Sequence, residues 1–211
     1  MSKFSFANLS KRLRLLSNDE IDKIYAGALE LLNKKGIKYL NSEALRILSP
    51  GGEVNQKDMV AKLPEEIIKE SVMKAPSKIS LYDRNGRLVI VLEESNSIFN
   101  PGSAAINIID MESGEIRKPN SKDLIEFVRL TDALDNIKAQ STALIVSDVH
   151  EAIVDRYRLY IVLKNSTKPV ITGSFTKDGV CDMRKILAMV IGEEELVKKP
   201  IAIFDVCPSS P

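Results

Sequence analysis

Ile201-Ala-Ile-Phe-Asp-Val-Cys-Pro-Ser-Ser-Pro211 decides the fold of this chain: an apolar run fit for burial on both faces, broken by one carboxylate and closed by a proline-bounded turn. Reading backwards from it, three more runs of strand type appear at Pro169 to Thr172, Ala139 to Val146 and Ala104 to Asp110. Helical patterns separate them. One is capped at Ser121 and carries Leu124, Ile125, Phe127, Val128 and Leu130; a second starts near Glu151; a third runs from about Lys177 to Ile191. Parallel strands need helical crossovers to return to the same edge, so this alternation implies a parallel α/β sheet. Residues 97–211 allot about 29 residues to each of four units, close to the roughly 31 per unit of a (β/α)8 barrel.

The expected fold is therefore α/β: an incomplete (β/α)8 TIM barrel at residues 97–211, holding about the first four units and stopping after strand four. Residues 1–96 are expected to form a helical extension ending in a β-hairpin. There Ser17 or Asn18 caps a helix to Gly36, with Ile21, Ile24, Ala28, Leu31 and Leu32 as its buried stripe. A short helix follows from a Ser42 cap to Leu48, then the Pro50-Gly51-Gly52 turn, then a helix opened by Pro64 and ended by Pro76, burying Ile67, Ile68 and Val72. Lys78 to Asp83 and Arg87 to Leu92 flank Asn85-Gly86, which predicts a hairpin with a two-residue turn.

Composition excludes several classes. The 211 residues carry 30 basic and 29 acidic side chains, a formal charge of +1, so no overall field attracts nucleic acid or an anionic membrane. There is no tryptophan to build a base-stacking platform. The apolar run Leu88 to Leu92 is far below the ~20 residues that span a bilayer, and Met1-Ser-Lys-Phe has no apolar signal core; a cytoplasmic protein is expected. Lys11-Arg12-Leu13-Arg14 reads as a solvated lead-in or a contact for an acidic partner. Cys181 and Cys207 form no C-x-x-C pair and are expected to be free thiols; with His150 as the single histidine, no zinc site is expected. Neither a Walker loop nor a G-x-G-x-x-G fingerprint occurs, which counts against a nucleotide and against an unrelated doubly wound enzyme.

Barrel sites lie at the C-terminal ends of strands, which selects Asn107 and Asp110, Asp148 and His150, Ser174 and Phe175, and Asp205, Cys207 and Ser209. His150 could hydrogen-bond a substrate carboxylate or shuttle a proton, or simply belong to a helix start. Asp205 sits in an apolar run, where a carboxylate is costly unless it meets a cation or a salt-bridge partner. Alternation pairs it with Ile201 and Ile203 and leaves open which face is the lumen. Phe175 could wall a methylated ammonium by cation–π attraction or simply pack. Cys207 has no visible cause of thiolate activation.

Several stretches, in order, resemble the trimethylamine methyltransferase family. They are Leu16-Ser-Asn-Asp-Glu-Ile, Ala28-Leu-Glu-Leu-Leu-Asn-Lys-Lys-Gly-Ile37, Lys62-Leu-Pro-Glu-Glu-Ile67, Ala75-Pro-Ser-Lys-Ile-Ser-Leu-Tyr-Asp-Arg84, Asp110-Met-Glu-Ser-Gly-Glu-Ile-Arg117, Leu130-Thr-Asp-Ala-Leu-Asp-Asn-Ile137, Asn165-Ser-Thr-Lys-Pro-Val170 and the closing Cys207-Pro-Ser-Ser-Pro211. The resemblance implies a (β/α)8 barrel with a helical extension that passes a methyl group from a methylated amine, trimethylamine or a quaternary amine such as glycine betaine, to the cobalt of a separate corrinoid protein. It also implies a role in methylamine metabolism and methanogenesis, and, in archaeal members, a pyrrolysine in the second half of the barrel, beyond residue 211. On this reading the chain binds no cofactor or metal itself, its partners are a corrinoid protein and a small methylated amine, it is a homo-oligomer, and alone it is inactive, its catalytic residues not assigned. Substrate contacts are expected at Asp205, His150, Phe175 and Asn107. The alternative is a non-catalytic half-barrel module that only binds the corrinoid protein or the amine.

Overall fold

The computed structural model describes residues 15–93 and 96–206. Lys11 to Arg14, Cys207 and Ser209 lie outside the described residues. The chain divides into two compact units at Ala75 and Pro76, so the hairpin groups with the later residues rather than with the helical extension.

In the first unit, helix α1 (Asn18–Glu30) begins with a capping box. The Ser17 hydroxyl accepts from Glu20 N–H while the Glu20 carboxylate accepts from Ser17 N–H. Residues Leu31–Lys35 continue it as a π-turn, and Gly36 at φ 76° ends it. A Cβ at Gly36 would stand 2.5 Å from the Ala61 carbonyl oxygen, so glycine is required twice over, by torsion and by space. The expected stripe is not buried: Ile21, Ile24, Ala28 and Leu31 are exposed, and Leu29 is the buried residue of α1, beside half-buried Leu32. Helix α2 (Ser42–Leu48) is capped by Asn41, one residue before the expected Ser42. Three short strands that the sequence did not reveal form an antiparallel sheet in the order β1 (Ile37–Lys38), β3 (Val60–Lys62), β2 (Glu53–Asn55). Helix α3 (Glu65–Lys74) half-buries Ile67 and Ile68 and leaves Val72 exposed; Pro64 is its cap, not its first residue.

The second unit opens with the hairpin β4 (Lys78–Tyr82) and β5 (Leu88–Glu93). The register pairs Tyr82 with Leu88, and Asp83 N–H donates to the Arg87 carbonyl, so the loop holds three residues rather than the expected two. The Asp83 carboxylate accepts from Asn85 and Arg87 N–H and draws the loop tight, with Gly86 alone at positive φ. A second small hairpin, β6 (Ile108–Ile109) and β7 (Ile116–Arg117), precedes α4 (Ser121–Ala133), whose cap is Asn120. Then come β8 (Gln140–Ser141), α5 (Val154–Asn165), β9 (Val170–Thr172), α6 (Lys177–Ile191), α7 (Glu193–Lys198) and β10 (Ala202–Phe204). β8, β9 and β10 form a parallel sheet with β9 in the middle. The run Ala104 to Asp110 does not make a strand of its expected length. Ala105 forms one parallel bridge to Leu144, and Phe99 another to Ile137.

Two apolar clusters lie on the two sides of this sheet. Val170, Leu159, Val162, Met183 and Leu187 are buried with half-buried Ala202 and Phe204 on the helix side. Leu81 and Ile90 of the hairpin are buried with Ala139, against Ile171 and Ile203, on the other. Main-chain bonds place the hairpin at the N-terminal ends of the strands: Tyr82 N–H donates to Pro200, just before β10, and Arg84 N–H to Thr167, just before β9.

Candidate functional site at the C-terminal ends of the strands

With the N-terminal ends covered, the chemistry of the unit has one place to gather. Thr142, one residue past β8, and Thr172, the last residue of β9, are both buried, their hydroxyls 3.0 Å apart. Thr172 also accepts, at its carbonyl, the N–H of Asp205 at 2.7 Å. Asp205 thus stands at the rim, one residue past β10, exposed to solvent. The parallel register runs on through it, and a period of two places it on the face of Ile203, the hairpin side.

The loop after β9 is held by a buried carboxylate from the first turn of α5. Asp155, 2% exposed, accepts from the Ser174 hydroxyl at 2.9 Å and from Phe175 N–H at 3.1 Å. Burial pushes this carboxyl upward, but the bonds from Phe175, Ser174 and Arg156 N–H, with the Arg156 charge, outweigh it and hold it below its usual range. One helical turn later Arg158 is 1% exposed; its guanidinium donates to the Thr142 carbonyl and stands 5.4 Å over the Phe175 ring. Burial lowers Arg158 to about 10, against the opposing charge of Asp155. Its Nε is buried without a partner. Gly179 completes the arrangement, because a Cβ there would meet Ser174 Oγ at 2.2 Å and Asp155 Oδ2 at 2.4 Å. Chemically this is a rigid support: a buried acid fixes the loop, and a buried cation ties the end of β8 to the aromatic ring of that loop.

Of the residues selected from sequence, Ser174, Phe175 and Asp205 come to this rim. The other candidates among the described residues do not join them. Asn107 is exposed ahead of β6. His150 is exposed in the turn before α5, its Nδ1 accepting from Ala152 N–H at 3.2 Å. Asp148 caps α4 by accepting from Ser121 N–H. Asp110 closes the turn of the second hairpin; N–H bonds from Ser113 and Glu112 and the Arg117 guanidinium lower it to about 2. Phe175 already carries a cation on its ring, that of Arg158, and is 52% exposed. Sequence reading missed Asp155, Arg158, Thr142, Thr172 and Gly179. The available signal was the pair Asp155 and Arg158, spaced by three on a helix otherwise rich in apolar residues.

A pocket between the first hairpin's loop and α7, lined by Arg84, Asn85, Glu195 and Lys199, opens at the opposite, N-terminal end, away from these groups. Among the described residues no group of three His, Cys, Asp or Glu side chains could hold a metal ion. No described helix is long and apolar enough to cross a membrane.

Comparison with known proteins adds the following. The family described as trimethylamine methyltransferase matches residues 4–211. A trimethylamine methyltransferase of Desulfitobacterium hafniense is 30% identical over 92% of the chain and 40% of its own length. A glycine betaine methyltransferase of the same species is 25% identical over 92% of the chain and 41% of its length. A trimethylamine methyltransferase of Methanosarcina barkeri is 28% identical over 94% and 42%. The chain spans about two fifths of the length of these relatives.

Proposed function

The chain belongs to the trimethylamine methyltransferase family, and from that premise we propose that it supplies the N-terminal part of a (β/α)8 barrel that moves a methyl group from a methylated amine to the cobalt of a corrinoid protein. The match over residues 4–211 carries this reading. Three parallel strands, helical crossovers and a hairpin over the N-terminal ends support the barrel. The methyl acceptor is a second substrate: cobalt(I) attacks the methyl carbon, a cobalt–carbon bond forms, and the carbon–nitrogen bond breaks with its electron pair leaving on the amine.

The role of this chain is to position. Asp205, exposed on the hairpin-side face, offers a carboxylate to a methylated ammonium. Phe175 is a rim wall braced by Arg158, and Thr142 and Thr172 fix the strand ends beneath it. Asn107 and His150 lie on loops nearer solvent and would contact the amine only after those loops close. β10 is an edge of the described sheet, so the rim surrounds a small amine on one side only, and the chain by itself is catalytically incomplete.

The test mixes the 211-residue chain with trimethylamine or glycine betaine and a reduced corrinoid protein, and follows methyl-cobalt formation optically beside calorimetric binding of each partner. Binding without turnover is expected, with amine affinity reduced about tenfold by Asp205→Asn. Turnover by the chain alone would overturn its incompleteness, and absence of binding to either partner would overturn the assignment of function.

A further inference from the structure

Helix α1 has two apolar sides, and the fold of the first unit uses one. Leu29 is buried and Leu32 half-buried. On the other side Ile21, Ile24, Ala28 and Leu31 follow at spacings of three, four and three, the strict repeat of a two-helix seam rather than the broader stripe of a helix packed on a globular core. Ile24 and Leu31 are each 62% exposed. With Gly27 and Lys35 they line a shallow, mostly apolar groove along the helix.

Gly27 is the second observation. Glycine inside a helix costs about 0.8–1 kcal/mol relative to alanine. A Cβ at Gly27 would meet nothing within 4 Å, so packing within the chain gives no reason for it. Close approach of another backbone does. Charge is the third. By helical spacing Glu20 falls beside Ile24 near the start of α1, its carboxylate also closing the capping box with Ser17; Lys35 lines the groove at the other end beside Glu30 and Lys34, which pair with each other, and makes no ion pair among the described residues. If a second α1 lies antiparallel with paired residue numbers summing to 55, Gly27 faces Ala28, Ile24 faces Leu31 and Glu20 faces Lys35, each contact made twice. The same register satisfies the small residues, the large ones and the charges.

We propose that the groove of α1 is a self-association surface whose occupant is the α1 helix of a second copy of this chain, antiparallel about a two-fold axis beside Gly27 and Ala28. Two helices of this length bury less than a standard interface, so a reversible dimer is expected.

Sedimentation equilibrium of the 211-residue chain from about 1 to 200 µM should show a reversible monomer–dimer equilibrium. Ile24→Glu and Gly27→Leu should each raise the dissociation constant at least about tenfold, with helical circular dichroism retained. Glu20→Gln, which keeps the capping box but removes the charge, and Lys35→Glu should each weaken the dimer. In a Cys181→Ser, Cys207→Ser background, Ala28→Cys should oxidise to a disulfide-linked dimer, whereas Asp22→Cys on the far side of the helix should not. A monomer at every concentration, as expected if another partner covers the groove, overturns the proposal. So does a dimer indifferent to Ile24→Glu and not cross-linked through position 28, which would place association on another surface such as the β10 edge.

Discussion

Helices α1 and α5 are nearly equal in length, 13 and 12 residues, yet α1 buries one residue and α5 seven. The sequence patterns point the other way. α1 has a clean apolar stripe, whereas in α5 charged residues interrupt the apolar ones on every side. α5 is buried because α4 and α6 flank it and the sheet lies beneath, so even Asp155 and Arg158 are enclosed and must be paired or hydrogen-bonded. Among the described residues α1 has no such neighbours around its stripe. Periodicity therefore tells which side of a helix wants a partner, and the layers of the fold decide whether the same chain provides one.

The sharpest way to break the contrast is truncation. Leu159→Ala, at a fully buried position, should cost about 2–5 kcal/mol in denaturant unfolding, while Ile24→Ala in dilute protein should stay within about 0.5 kcal/mol. Comparable losses at both sites would show that α1 is packed within the chain.

Next in size is the buried acid. Asp155→Asn should destabilise by about 3 kcal/mol, since it removes the charge facing Arg158 and an acceptor of several bonds. The folded Asp155 carboxyl lies below its unfolded value near 4, so its contribution is complete above that pH and is lost as pH falls through the folded value. Unfolding followed from pH 7 to pH 2 should therefore show a shallower acid loss in the Asn variant.

Two glycines provide a finer comparison. Gly179→Ala should cost about 1–3 kcal/mol because its Cβ strikes Ser174 and Asp155, and Gly27→Ala in the dilute monomer should gain about 0.5–1 kcal/mol. The sign of each change, read from thermal unfolding, is the test. A similarly small effect is expected at the caps: Asn120→Ala should lose about 1 kcal/mol, and in hydrogen exchange the first-turn amides of α4 should lose protection.

Long segments were legible where local chemistry and packing agree. α6 runs from Lys177 to Ile191 as the periodicity requires, and Gly192 stops it at φ 89°. Two caps fell one residue early for a shared reason. In Asn41-Ser42 and Asn120-Ser121 the asparagine carboxamide accepts two N–H groups at once, which wins over a hydroxyl. Ala104 to Asp110 is apolar enough for a strand, but the Asp110 carboxylate takes the N–H groups of Glu112 and Ser113 and turns the chain into a hairpin before a ladder can lengthen. β1, β2 and β3 are two or three residues each, too short to show a period. At the rim, strand ends led directly to Asp205, Ser174 and Phe175. Their supports were hidden because Asp155 and Arg158 belong to a helix, and only the packing of α5 turns them inward.

The hairpin over the N-terminal ends also has a consequence in time. Tyr82 is bonded to Pro200 and Arg84 to Thr167, so the first element of the second unit is completed by some of the last. At a synthesis rate of about 5–20 residues per second, the β4 edge waits roughly 6–24 s for the about 118 residues that separate it from Pro200. During that interval Leu81 and Ile90, later enclosed, can gain Ala139 and Ile171 as those residues emerge, but not Ile203. A nascent chain stalled before Pro200 should therefore keep the β4 edge unpaired on that side, a surface open to aggregation and to chaperones.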